Sequence, residues 1–162
     1  VYLLLDDFEQ AREQAQKIVT MFPDSLHGYR VLGMAYLGEG LFEHAITALE
    51  RGVAIARESA SVALLAQAYG RSGQPARARS LVDEVAERAK QEYVLPTSMA
   101  WAYIGVDDFD SAFRWLETAF EQRCSLLLWL RAGPMFDPLR ADSRFASLLC
   151  RLRLPRDQRS PA

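Results

Sequence analysis

Apolar and small residues return along this chain at an interval of 33 or 34 positions. Tyr2, Tyr36, Tyr69 and Tyr103 are spaced 34, 33 and 34 residues apart, and Ala11, Ala45, Ala78 and Ala112 keep the same spacings. Phe8, Phe42 and Phe109 fall in step with them, and Pro75 takes the third slot. Inside each interval the apolar positions follow a helical period. In 7–21, Phe8, Ala11, Ala15, Ile18 and Val19 line one face, while Glu9, Arg12, Glu13 and Gln16 face water. The pattern predicts helices over about 7–21, 25–38, 41–57, 59–71, 74–90, 96–105 and 109–123, taken in pairs. A two-helix unit of this size cannot cover its own apolar face, so each unit must bury it on the next. The fold class is all-α, with stacked hairpins in place of one globular core.

Packing and turn chemistry agree with that reading. Small residues at Gly33, Ala66 and Ala100 let the two helices of a unit approach, matched by the alanine series on the second helix. Gly40 and Gly73 can take the positive φ that a tight interhelix turn asks for. Asp6 and Asp107 hold that slot in the outer units, where an Asp can begin the next helix as an N-cap. Pro75 reads as a first-turn proline and not as a break. Pro23-Asp24-Ser25 ends one helix and starts the next.

These residues resemble the tetratricopeptide repeat. The best copy carries Tyr29, Leu32, Gly33, Tyr36, Gly40, Phe42, Ala45 and Leu49. The following copy keeps Leu65, Ala66, Tyr69, Gly73 and Ala78, and the last keeps Met99, Ala100, Tyr103, Phe109, Ala112, Leu116 and Ala119. The first keeps Tyr2, Phe8, Ala11 and the closing Pro23, a proline replaced by Arg57, Lys90 and Cys124 in the other three. The resemblance implies a right-handed α-solenoid over 1–124. It implies a fold far more than a function. Some repeats of this kind grip a C-terminal carboxylate with lysine and asparagine; Arg30, Met34, Ala63 and Gln67 stand in those slots here, so that likeness fails.

The C-terminal part has its own logic. Leu126–Leu130 is too apolar to face water and should lie on the final repeat. Gly133-Pro134 and Asp137-Pro138 are turn signals. Asp142 can cap a helix to about Leu152, with Phe145, Leu148, Leu149 and Leu152 on one stripe and Arg144, Arg151 and Arg153 outward. Residues 125–155 are therefore expected to close the open end of the solenoid. The tail 156–162 is polar and expected to fray. This region also resembles the C-terminal end of tetratricopeptide regions in multidomain bacterial regulators with a winged-helix, nucleotide-cyclase or protein-kinase domain. Tyr93, Pro96, Ala112, Leu116, Asp137, Pro138, Leu139, Arg140, Asp142, Phe145 and Leu149 carry that likeness, and Ser143 departs from it. The chain begins inside the period, at Val1 and without Met. That points to a piece of a longer polypeptide, cut through its first repeat.

Composition narrows the function classes. Of 162 residues, 50% are apolar and 25% charged, and the net charge is −2, so there is no basic field for nucleic acid. No apolar run reaches the roughly 20 residues of a membrane span, and Val1–Leu5 lacks the basic flank of a signal peptide. The reading is a cytoplasmic chain with two reduced thiols, Cys124 and Cys150, which could pair if the last helix folds back. There is no phosphate loop, nucleophile elbow or metal-ligand pair, so neither enzyme activity nor a cofactor is expected. His44 beside Glu43 reads as a surface residue, Asp6-Asp7 and Asp107-Asp108 as capping residues, and 76–79 as a solvated helix face.

The candidate site is a surface. First helices of stacked units line a concave side. There the residues off the packing face are His27, Arg30, Met34 and Leu37, then Ala63, Gln67 and Arg71, then Thr97, Trp101 and Ile104. The partner-binding set is His27, Arg30, Met34, Gln67, Arg71, Thr97 and Trp101. Met34 and Trp101 would be apolar anchors, and Arg30 and Arg71 would meet an acidic group of a peptide. The expected function is protein–protein interaction, as a sensor or scaffold part of a bacterial regulator. Its partners would be a peptide, a protein or other domains of the parent chain. The alternative is self-association, a homodimer burying Val1–Leu5.

Overall fold

The computed structural model describes residues 2–5 and 7–154. Expectations for Val1, for Asp6, for the side chains of Leu4 and Leu5, for Pro155 and for the tail 156–162 lie outside the described residues. A short 3-10 turn, Tyr2–Leu5, leads into α1 (Phe8–Met21). Three hairpins follow: α2 (Leu26–Gly38) with α3 (Phe42–Ile55), α4 (Ser59–Arg71) with α5 (Pro75–Arg88), and α6 (Pro96–Ile104) with α7 (Phe109–Glu121). Two 3-10 turns, Ser125–Trp129 and Pro134–Leu139, precede α8 (Ser143–Arg151). Among the described residues there is no strand. The helices from α2 to α7 pack chiefly on their hairpin partners, and α1·α2, α3·α4 and α4·α6 join neighbouring units. The molecule is an all-helical, tetratricopeptide-like solenoid.

The small residues act as the spacing implied. A Cβ on Gly33 would lie 2.4 Å from Leu49 Cγ, so α2 and α3 meet where only hydrogen fits. Ala45, Ala66, Ala78, Ala100 and Ala112 are wholly buried. The closest approach falls at a pair the periodicity did not single out. A Cβ on Gly70 would lie 1.9 Å from the carbonyl oxygen of Gly105, so α4 and the end of α6 touch backbone to backbone. Of the tyrosine series, Tyr69 is buried, Tyr36 and Tyr103 are half-buried, and Tyr2 at the open end is 40% exposed.

Turn chemistry is as expected at Gly40 and Gly73, with φ of 74° and 79°. It differs at the last hairpin. Asp107 takes φ 57° in the glycine slot, and Asp108, not Asp107, caps α7, accepting from Ser111 N at 3.1 Å and from Ser111 Oγ at 2.7 Å. Likewise Asp7 caps α1 through Gln10 N at 3.1 Å. The physical reason is that one residue cannot both reverse the chain and present its carboxylate to the next helix. Pro75 and Pro96 stand in the first turns of α5 and α6.

The C-terminal helix is held by a repeated device. Arg144 lies over the Phe113 ring at 4.2 Å and pairs with Asp110 at 2.8 Å. Arg151 lies over the Phe120 ring at 4.3 Å and pairs with Glu117 at 2.7 Å. Phe145, Leu148 and Leu149 are buried beneath, and the arginines lie outward. Cys124 and Cys150 are free thiols, half-buried and exposed.

Candidate functional site

The concave side is not an open groove. The 3-10 turn Pro134–Leu139 lies against α2 and α6, and Met135, Phe136 and Leu139 are at most 1% exposed. Gln67 from α4 holds it: Nε2 donates to the Met135 carbonyl at 2.9 Å and to the Trp101 carbonyl at 3.0 Å. The Phe136 and Trp101 rings meet edge to face at 6.2 Å. Pro134 and Pro138 restrict the backbone of this turn, and its apolar side chains fill space that successive first helices leave between them.

This arrangement sorts the seven residues. Gln67 and Thr97 are completely buried, as are Leu37 and Ala63, so they face the chain's own C-terminal turn or interior. Arg71 is half-buried, with its guanidinium 4.6 Å above the Phe42 ring. Burial draws its pKa below the ordinary arginine value, against the opposing charge of Asp137. His27, Arg30, Met34 and Trp101 do come together, in the wall of one cavity of about 500 Å³. Arg71 is not part of that wall, so the two cations expected to act together are separated.

The cavity joins the two ends of the chain. Leu3 and Ile18 come from the first unit, Val31 and Met34 from α2, Trp101 from α6, and Leu126, Trp129 and Met135 from the C-terminal turns. Its lining is chiefly apolar, and Trp101 and Met34 are only 5% and 8% exposed. His27 stands at an exposed edge, where its Nδ1 accepts from the Arg30 guanidinium at 3.0 Å. A second Arg30 nitrogen meets Glu58 at 3.1 Å. Trp129 and Met135 were missed in the sequence because they stand outside the repeat period. The apolar run Leu126–Leu130 was the available signal that this segment is covered. Leu127 and Leu130 are buried, Leu126 and Trp129 half-buried, and Leu128 is 64% exposed.

On the opposite, convex side, Tyr69 donates to Glu50 and lies under the Arg77 guanidinium at 4.6 Å. Burial first, then the Glu50 hydrogen bond, raises the Tyr69 phenol to about 12. Among the described residues no cluster of histidine, cysteine and carboxylate has a metal-binding arrangement, and no helix is long and apolar enough to cross a membrane.

A row of antiparallel helix pairs, with small residues at each crossing, defines a helical-hairpin solenoid. Two of its segments match models of the tetratricopeptide repeat, residues 27–59 and residues 60–84. They cover α2 with α3 and α4 with the first part of α5, the stretch in which the periodic residues are densest. The matches support a tetratricopeptide-repeat protein, and such repeats indicate a protein–protein interaction module. Comparison with curated proteins finds no match.

Proposed function

We propose that this chain is a non-catalytic interaction module that binds a peptide or protein segment at the mouth of the concave side. The surface formed by His27, Arg30, Met34 and the edge of Trp101 carries the reading. It combines an exposed imidazole, a partly exposed guanidinium and deep apolar anchors on first helices. An apolar side chain entering beside Met34 while an acidic neighbour meets Arg30 suits these groups. Gln67, Thr97 and Arg71 act in this reading through the wall they support. The test is binding of fluorescent peptides that pair an aromatic residue with an acidic one. Arg30→Ala should weaken such a peptide about tenfold, while Lys90→Ala, outside the cavity wall, should not. No saturable binding by any such peptide would end the reading.

Residues 1–124 then serve as the repeat body, 125–155 as the closing segment and 156–162 as a tail. The likeness of the last segment to bacterial regulators supports a place in a larger cytoplasmic signalling or transcription protein, with its own other domains among the partners. A second reading, a homodimer through the first unit, is favoured by Met21, Phe22 and Tyr2, exposed at 66%, 62% and 40%. Leu3 already lies buried in the single chain, so Met21 and Phe22 would supply that contact. Light scattering at rising concentration tests it; a monomer throughout would refute it.

A further inference from the structure

The cavity between the first unit and the C-terminal turns has properties that a peptide groove does not need. It is about 500 Å³, within the ~300–1,000 Å³ usual for small-molecule sites. Its polar groups are unevenly chosen. Among the described residues the lining contains no aspartate or glutamate, while Arg30 and His27 present N–H donors. The Trp101 indole Nε1 is buried without a hydrogen-bond partner among the described residues. A buried donor left unpaired costs on the order of 1–3 kcal/mol. Closed off from the open space of the cavity, it offers no contact to an occupant. Because His27 Nδ1 accepts from Arg30, the ring proton stands on Nε2, which makes that nitrogen a further donor. Arg30 spends one nitrogen on Glu58 and one on His27, and its remaining N–H groups are unspent by these contacts.

We propose that the cavity binds a small monocarboxylate with a compact apolar body, such as a medium-chain fatty acid. The body lies against Met34, Trp129 and Met135. The oxygens accept from the donor side of the wall. Neutral hydrocarbon alone would leave the remaining Arg30 donors unmet, and a cation would face the Arg30 charge with only the neutral oxygens of Gln14 and Tyr2 to accept it.

The probe is decanoate, titrated into the full chain by calorimetry and by tryptophan fluorescence, since Trp101 and Trp129 stand in the wall. One-to-one saturable binding is expected, with decanol about tenfold or more weaker because it lacks the charged acceptor. Arg30→Met keeps the apolar stem, removes the charged donors and should weaken decanoate about tenfold. Met34→Trp should fill the cavity and abolish binding; if it does not fold by circular dichroism, Ile18→Trp on the opposite wall replaces it. Absence of saturable decanoate binding overturns the proposal. So does equal affinity for decanol, binding unchanged by the filling variant, or a stable dimer in which decanoate alters neither fluorescence nor association. Peptide binding is measured separately, so either result stands without the other.

Discussion

Gln67 Nε2 donates to the Met135 carbonyl oxygen at 2.9 Å, joining α4 to a turn 68 residues further along the chain. The same nitrogen reaches the Trp101 carbonyl at 3.0 Å, so one buried amide fastens three elements. In tetratricopeptide terms Gln67 stands where a ligand contact is expected, and here the chain itself supplies the acceptor.

Gln67→Met keeps the volume and removes both donors; the Trp101 carbonyl keeps the Gly105 N–H at 3.2 Å, so the loss falls on the Met135 carbonyl. A loss of about 1–3 kcal/mol is expected from one unmet group. Urea denaturation followed by tryptophan fluorescence measures it, since Trp101 and Trp129 flank the released turn.

The two kinds of glycine should respond differently to the same methyl group. At Gly40 no atom lies within 4 Å, and only the φ of 74° resists a side chain, so Gly40→Ala should cost about 1–2 kcal/mol. At Gly70 the methyl would meet the Gly105 backbone, which cannot swing aside. Gly70→Ala should cost more than about 3 kcal/mol and displace α6. Thermal unfolding of both variants compares them directly; equal losses would contradict the close approach.

Asp107 occupies a left-handed conformation that glycine adopts freely. Asp107→Gly should raise the melting temperature by about 2–4 °C, corresponding to roughly 1 kcal/mol at this chain length. Scanning calorimetry decides it, and a fall would show that Asp107 makes a contribution its backbone does not reveal.

Asp108 gives a pH dependence with a definite sign. Its hydrogen bonds from Ser111 hold its pKa below the ordinary aspartate value. The unfolded carboxyl takes up its proton first, so the contribution is present at neutral pH and lost as pH falls from about 4 through the folded value. Asp108→Asn keeps a capping oxygen and should flatten that part of the stability–pH curve. Asp108→Ala should cost about 1 kcal/mol at pH 7. Denaturation at a series of pH values measures both.

The solenoid was legible because its information is periodic. Each tyrosine and alanine of the series repeats the same packing problem, and four copies fix the helix pairs and their turns. Helix limits fell within two residues, as at 59–71, which agrees at both ends. The Asp107 and Asp108 roles were displaced by one residue, because a helical pattern does not say which of two adjacent carboxylates reverses the chain. The candidate site was read from the repeats alone. His27, Arg30, Met34 and Trp101 do share a wall, but Gln67 is bonded to the turn at Pro134–Leu139 and Thr97 is wholly buried. That turn obeys no period; its place depends on contacts far away in sequence, of which the apolar run Leu126–Leu130 gave the only hint. Gly70 and Gly105 escaped notice for the same reason: their meeting is a property of two helices in space.

The outer side of α8 carries Arg144, Ala146, Ser147, Cys150 and Arg151, while its large apolar side chains turn inward. Head-to-tail growth into a filament needs a sticky surface at both extremities. At this one an incoming copy would meet guanidinium groups already engaged with Asp110 and Glu117, and small side chains offering little area. Copies that adhered through Met21 and Phe22 would find no large apolar side chain on the outer side of α8 to extend them.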